Sequence, residues 1–224
     1  MPLAKTDESR GRLLQVIQHD VKRLDRLISD IADASRLDAE LARAEARRVD
    51  LKKLLTTVVS VANERRRPKD CLIQLDVEPI PDQDAPFTVI GHDSRLGQVV
   101  NNLLDNARSF SPTEAKVRVA LRRVRGEVEL VCEDEGPGIP EHALERIFER
   151  FYTDRPEQGF GQNSGLGLSI SRQIVQAHRG TIRAENRPGA PDEDGEPTVR
   201  GARFTVRLPV APRADRYGDD DLAA

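Results

Sequence analysis

The segment Gly165-Leu-Gly-Leu-Ser169 constrains this chain more than any other, because it opens a helical pattern and two further motifs precede it in order. These are Asn102-Leu-Leu-Asp-Asn-Ala107 and Asp134-Glu-Gly-Pro-Gly-Ile-Pro140. Backbone amides at a helix N-terminus cradle phosphate well, and Gly159, Gly161, Gly165 and Gly167 bracket a small, polar stretch leading into that helix. Asn102 and Asn106 stand four residues apart and share a helix face, where carboxamide oxygens suit Mg²⁺, a hard cation that keeps several waters. Asp134 ends a strand pattern and enters Gly136-Pro137-Gly138. A carboxylate there can accept from an exocyclic amine such as that of adenine, while glycine lets a flat ring approach the backbone. Alone, each motif has an ordinary structural explanation: two Asn bridging a core, a turn, a flexible loop. Their order and spacing together point to a nucleotide site.

Composition narrows the alternatives. A chain of 224 residues can bury one domain and carry an appendage. Charged residues make up 33%, yet the net charge is −3, a balance that offers no electrostatic footprint for nucleic acid. Aromatics are 4% and Trp is absent, so the core must come from Leu, Ile, Val and Ala. Cys71 and Cys132 lack metal spacing and read as reduced structural thiols. No run approaches the ~18 apolar residues of a membrane span, so membrane attachment is left to other parts of a parent protein.

Residues 7–47 stand apart. Leu14, Ile17, Val21, Leu24, Ile28 and Ile31 recur at alternating spacings of three and four, a coiled-coil seam that Leu13 and Leu27 widen toward a bundle face. Thr6, Asp7 and Glu8 supply a cap and acidic charge for the helix start. The expected partition is a helical element over 1–48, an α+β domain over 49–212, and an acidic, disordered tail over 213–224 with Asp219-Asp220-Asp221.

Within the second unit the patterns alternate. Helices are expected at Leu51–Ala62, Ser94–Phe110, Leu144–Phe148 and Leu166–Ala177, with Gly180 as the left-handed cap of the last. Strands are expected at Leu72–Val77, Phe87–Ile90, Lys116–Val124, Glu127–Glu133, Thr181–Glu185 and Ala202–Leu208. Arg125-Gly126 makes a hairpin, and the Pro-, Gly- and acid-rich stretch Arg187–Arg200 reads as a floppy excursion. The sum is a two-layer α/β sandwich, one mixed sheet with helices on one face.

These residues resemble the ATP-binding catalytic part of bacterial sensor histidine kinases. Asn102–Ala107 is similar to the family's N box, Asp134–Pro140 to its G1 box, Arg146-Ile-Phe-Glu-Arg-Phe-Tyr152 to its F box and Gly165–Ser169 to its G2 box. Gly201–Pro209 resembles the closing strand, and residues 7–47 resemble the second helix of the dimerisation and phosphotransfer hairpin, in wording like the ChvG-type kinases. The resemblance implies ATP as substrate and Mg²⁺ held by Asn106 with Asn102 in support. It implies Asp134 reading adenine, with Gly136, Gly138 and Ile139 shaping the pocket. Phe148, Phe151 and Tyr152 would pack beneath a lid over Thr153–Ser164, and Gly159, Gly161, Gly165, Leu166, Gly167 and Leu168 would line the phosphate side. Implied partners are a second copy through residues 7–47 and a response-regulator receiver domain, in the cytoplasmic portion of an inner-membrane sensor.

Two departures concern detail. Ser109 stands where the family commonly has Lys or Arg, and Ala202 where many members have Thr. A third concerns chemistry. The acceptor motif, a His-Glu-x-Arg-x-Pro-like run, is absent; His19-Asp20-Val21-Lys22 lacks the following Pro and His19 lies off the seam. His92, His142 and His178 sit at element ends and read as structural or solvated. The expectation is a chain that starts past a missing first helix, binds ATP and does not phosphorylate itself. Two alternatives are a hydrolase of the wider superfamily and a non-catalytic dimerisation or adaptor module. Hydrolases use a Glu as general base four residues before the metal Asn, where this chain has Asn102.

Overall fold

A computed structural model describes residues 45–81, 86–152, 165–192 and 194–212, together with helical positions between Arg10 and Ala32. His19, Leu24, Ile31, the expected lid over 153–164 with Gly159 and Gly161, and the tail over 213–224 lie outside the described residues.

The chain runs β1 (Arg47–Asp50), α1 (Leu51–Glu64), β2 (Leu72–Val77), β3 (Thr88–Gly91), α2 (Asp93–Phe110), β4 (Lys116–Val124), β5 (Glu127–Glu133), α3 (Gly167–Ala177), β6 (Thr181–Pro188) and β7 (Val199–Pro209). Five strands form a mixed sheet in the order β2-β4-β5-β7-β6, parallel only between β2 and β4. Alternation decides which face is covered. In β4, Val117, Val119 and Leu121 point inward while Arg118 and Arg122 stay exposed. The inner face meets Leu55 and Val59 of α1, Leu96, Val99, Val100, Leu103 and Leu104 of α2, and Ile170, Ile174 and Val175 of α3 in one core. Each fully buried Leu or Ile contributes roughly 1.5–3 kcal/mol. On the outer face buried Glu129 accepts from Arg122 and Arg207, both at 2.7 Å, and a groove of about 550 Å³ opens beside them.

The Arg125-Gly126 turn has positive φ at both residues (48° and 86°), the geometry whose twist matches antiparallel strands. Asp50 caps α1, its Oδ1 accepting from the amides of Lys52 at 2.9 Å and Lys53 at 3.2 Å. Cys71 and Cys132 are free and buried, and burial pushes the Cys132 thiol up to about 12.

Four local expectations change. The strand near Phe87–Ile90 does not join the main sheet: β3 pairs antiparallel with β1, which straddles position 48, in a separate two-stranded ladder. It touches the chain beyond β7 through an isolated bridge, Val89 with Val210, and the Ala211 N–H donates to the Thr88 carbonyl at 2.8 Å. Leu144–Phe148 forms no α-helix; two 3₁₀ turns, Glu141–Ala143 and Arg146–Phe148, take its place. At the end of α3 the left-handed residue is Arg179 (φ 58°), not Gly180. Its N–H reaches the Gln176 carbonyl at 2.9 Å and the Gly180 N–H reaches the Val175 carbonyl at 2.9 Å. Gly180 is needed instead because a Cβ there would collide with the Arg207 carbonyl. Finally, Arg187–Arg200 is no floppy excursion. β6 runs to Pro188, β7 starts at Val199, and Gly189 donates to the Thr198 carbonyl at 2.7 Å, closing a hairpin.

In the N-terminal helical stretch, Leu13, Leu14, Ile17, Val21 and Ile28 are 41–64% exposed. No helix among the described residues is long and apolar enough to cross a membrane.

Candidate functional site

Asp134 leaves β5 where the ladder with β7 ends, and its side chain turns back into the protein, 4% exposed. One carboxylate oxygen, Oδ1, accepts from the amides of Gly136 and Ala202, both at 2.9 Å. Among the described residues no hydrogen bond reaches Oδ2. Burial raises this carboxyl above the ordinary aspartate value; the two amides and the Arg187 guanidinium oppose the rise, and Glu133 adds to it. The result is a carboxylate locked through one oxygen and presenting the other.

The loop after it is held at both ends. Arg187, buried in the sheet, donates from Nη1 to the Asp134 carbonyl and lies 3.4 Å from the Glu133 carboxylate. Asn186 grips the Ile139 peptide twice: its Oδ1 accepts from the Ile139 N–H and its Nδ2 donates to the Ile139 carbonyl, both at 2.7 Å. Gly136 packs under the Phe110 carbonyl and Gly138 against Val199 and Asn186. Gly201, at φ 140°, lies so close to the Asp134 carbonyl that no side chain fits. Thus the Asp134–Ile139 loop is seated on β6 and β7.

On α2 the two asparagines share a face but differ in circumstance. Asn102 Nδ2 donates to the Gly167 carbonyl at 2.9 Å and to Ser171 Oγ at 3.1 Å, tying α2 to the start of α3. Asn106 is half-buried, and among the described residues no hydrogen bond claims its amide. The Asn102 oxygen and the Asn106 carboxamide, unclaimed among the described residues, are neutral oxygen donors of the kind a hard cation accepts. Arg108 turns away toward the Ala62 carbonyl at 3.3 Å, so it does not replace the cation missing at Ser109.

The aromatic run divides. Phe148 is a core residue, edge-on to Phe204 with centroids 6.5 Å apart and capped by Arg172 at 4.1 Å. Phe151 is 58% exposed at φ 63°, and Tyr152 lies under Arg146 at 4.9 Å. The Phe151 N–H donates to the Gly165 carbonyl at 3.0 Å, joining the F-box and G2-box stretches. Leu166 is buried, Leu168 packs at the edge of the core, and Gly167 lies over Asn102. Asp134, Gly136, Gly138 and Ile139 therefore lie together on one loop, and Asn102 and Gly167 meet at the junction of α2 and α3, with Asn106 one turn further along α2. Asn186 and Arg187 are neighbours of this loop that no motif named, and nothing local in the sequence marks them. Gly201 opens the Gly201–Pro209 segment that resembles the closing strand.

A β-strand carboxylate, a polar helix face and a glycine-rich helix start above a mixed sheet define a nucleotide-binding domain of one known class. The family described as histidine kinase-, DNA gyrase B- and HSP90-like ATPases matches residues 91–212, and the chain belongs to it. Within that family its likeness is to sensor histidine kinases of the ChvG type. It is 54% identical to sensor protein ChvG of Rhizobium meliloti over 95% of this chain and 36% of that protein. To ChvG of Agrobacterium fabrum it is 51% identical over 96% of this chain and 36% of the relative. This chain thus spans about a third of the length of these relatives. Among solved structures, the mycobacterial sensor histidine kinase MprB shares 32% identity at a TM-score of 0.58, covering 75% of this chain and 99% of that one. Full-length ShkA in complex with AMPPNP shares 25% at 0.70, covering 93% and 40%.

Proposed function

We propose that this chain is the ATP-binding catalytic region of a two-component sensor kinase, moving the ATP γ-phosphate to a histidine for relay to a response-regulator aspartate. The observation that carries the reading is Asp134, buried and fixed through Oδ1, with Oδ2 unclaimed among the described residues, which suits acceptance from the adenine amine. Guanine presents a carbonyl at that position and would meet the carboxylate with repulsion. Asn106, with the side-chain oxygen of Asn102, would hold Mg²⁺, which neutralises phosphate charge. The backbone amides at Gly165–Leu168, at the start of α3, would face the phosphates. Asn102 cannot act as a base toward water, and its amide is engaged with Gly167 and Ser171, which disfavours the hydrolase alternative.

Residues 1–48 would serve as a dimerising helix, 49–212 as the catalytic domain and 213–224 as a tail, in the cytoplasmic part of a membrane sensor. The chain carries no His-Glu-x-Arg-x-Pro-like acceptor, so it would bind ATP and leave itself unlabelled. The response-regulator partner is supported by the kinase ThkA, solved in complex with response regulator TrrA. Calorimetry tests the core of this: ATP should bind and GTP poorly, and Asp134→Ala should weaken ATP by about 1–3 kcal/mol. Equal affinity for the two nucleotides would overturn the assignment of Asp134.

A further inference from the structure

The β6–β7 hairpin base grips both ends of the loop that carries Asp134. Arg187 holds the Asp134 carbonyl and approaches Glu133 to 3.4 Å, while Asn186 closes both hydrogen bonds on the Ile139 peptide. Val199, the first residue of β7, rests against Gly138 between them. A buried arginine is costly unless its charge is answered, and the bulk of its guanidinium here is spent on one carbonyl and one carboxylate beside the site. We propose that Arg187 is a positioning residue for nucleotide recognition: it orients the Asp134 peptide and supplies a buried cation beside its carboxylate, while Asn186 fixes the Ile139 end of the same loop.

The inference rests on Asp134 as the adenine reader. Among the described residues the charged and titratable groups that act on that carboxylate are Arg187 on β6 and Glu133 and Cys132 on β5; Arg203 on β7 pairs with Glu133 at 2.7 Å, and Glu135 turns to the Lys116 N–H at 3.2 Å. Cys132 stays a neutral thiol. Arg187 opposes, and Glu133 reinforces, the rise that burial imposes on Asp134. An adenine amine needs the ionised form as acceptor, so ATP affinity must fall as pH drops through the Asp134 titration. Arg187 keeps that fall at lower pH.

The test is ATP affinity of the full chain measured by calorimetry as a function of pH, with folding followed by thermal melting. Arg187→Met should weaken ATP roughly tenfold near neutral pH and move the midpoint of the acid fall upward, since about one decade separates a held from an unheld charged group. Arg187→Lys keeps the cation and should restore the midpoint while recovering only part of the affinity. Asn186→Ser should lower affinity without moving the midpoint. If Arg187→Met does not fold, Glu133→Gln gives the same test with opposite sign, a midpoint moved downward. Unmoved midpoints in Arg187→Met, or in Glu133→Gln where that replaces it, overturn the proposal. Asp134→Ala separates the two layers: if it binds ATP like the parent, the adenine reading itself has failed, whereas loss there with no midpoint shift sinks only the role of Arg187.

Discussion

The main-chain N–H of His92 donates to Nε2 of His178 at 3.1 Å, and Nδ1 of the same ring stands 2.7 Å from the Ile174 carbonyl. One ring nitrogen therefore accepts and the other donates, which fixes His178 as a neutral imidazole. The pair joins the β3–α2 junction to the end of α3, with Gly91 packed directly against the imidazole.

Acid should loosen this joint. Burial lowers the His178 pKa below the ordinary histidine value, with the Ile174 carbonyl opposing and His92 adding to the effect. The native state resists the proton while the unfolded chain takes it near ~6.5. The contribution is thus complete above that value and is lost as pH falls from there toward the lowered native one, at no more than about 1.4 kcal/mol per pH unit. Chemical denaturation at stepped pH measures it, and His178→Gln should flatten the slope across this interval. An unchanged slope would remove His178 as its source.

The two asparagines of α2 should separate cleanly. Asn102→Ala removes the bonds to Gly167 and Ser171, so the nucleotide-free protein should lose about 0.5–1.5 kcal/mol per hydrogen bond. Asn106→Ala should leave the nucleotide-free melting temperature nearly unchanged and abolish the dependence of ATP binding on Mg²⁺. A large apo destabilisation by Asn106→Ala would instead make it a structural residue.

Gly201 offers a test of the seat under Asp134. At φ 140° an L-residue is strained, costing about 1–3 kcal/mol, and its Cβ would displace the Asp134 carbonyl. Gly201→Ala should lower both stability and ATP affinity. Gly126→Ala, at φ 86° in the remote Arg125-Gly126 turn with open space around it, should lower stability alone. Parallel melting and calorimetry distinguish the two; equal effects on ATP would count against a seat specific to Gly201.

The exposed stripe of the N-terminal helical stretch should drive self-association. Contiguous apolar side chains such as Leu14, Ile17, Val21 and Ile28 are rarely left open on a monomer. Sedimentation should detect a dimer or larger species, and Ile17→Glu with Val21→Glu should yield monomers that still bind ATP. Neither form should incorporate acid-labile phosphate from ATP. Labelling that His19→Gln abolishes would show that His19 is the acceptor.

Most elements were legible because their signals are local. The inward residues of α2 follow a helical period, the β4–β5 hairpin is written in apolar residues alternating with Arg in β4 and with Glu at the start of β5 around Arg125-Gly126, and the three motifs lie on contiguous residues. The errors fell where a distant partner decides. Arg187–Arg200 has loop composition, yet β7 captures it as a hairpin because the Asp134 carbonyl and Glu133 carboxylate answer the Arg187 charge. Gly180 looked like a left-handed cap, yet the approach of β7 makes it a contact residue and leaves Arg179 to take the strained φ.

By itself the sequence determined the two-layer architecture and most of its helices and strands, since periodicity acts over a few residues, and its motifs nominated the side chains proposed to meet a nucleotide. Only the tertiary structure decided that Asn102 ties two helices together, that Asp134 is held through one oxygen, and that Asn186 and Arg187 support its loop. Those facts depend on atoms 47 to 69 positions apart in the chain meeting within hydrogen-bond distance. Contacts across such separations follow from how the sheet and helices close on one core, which no local pattern specifies.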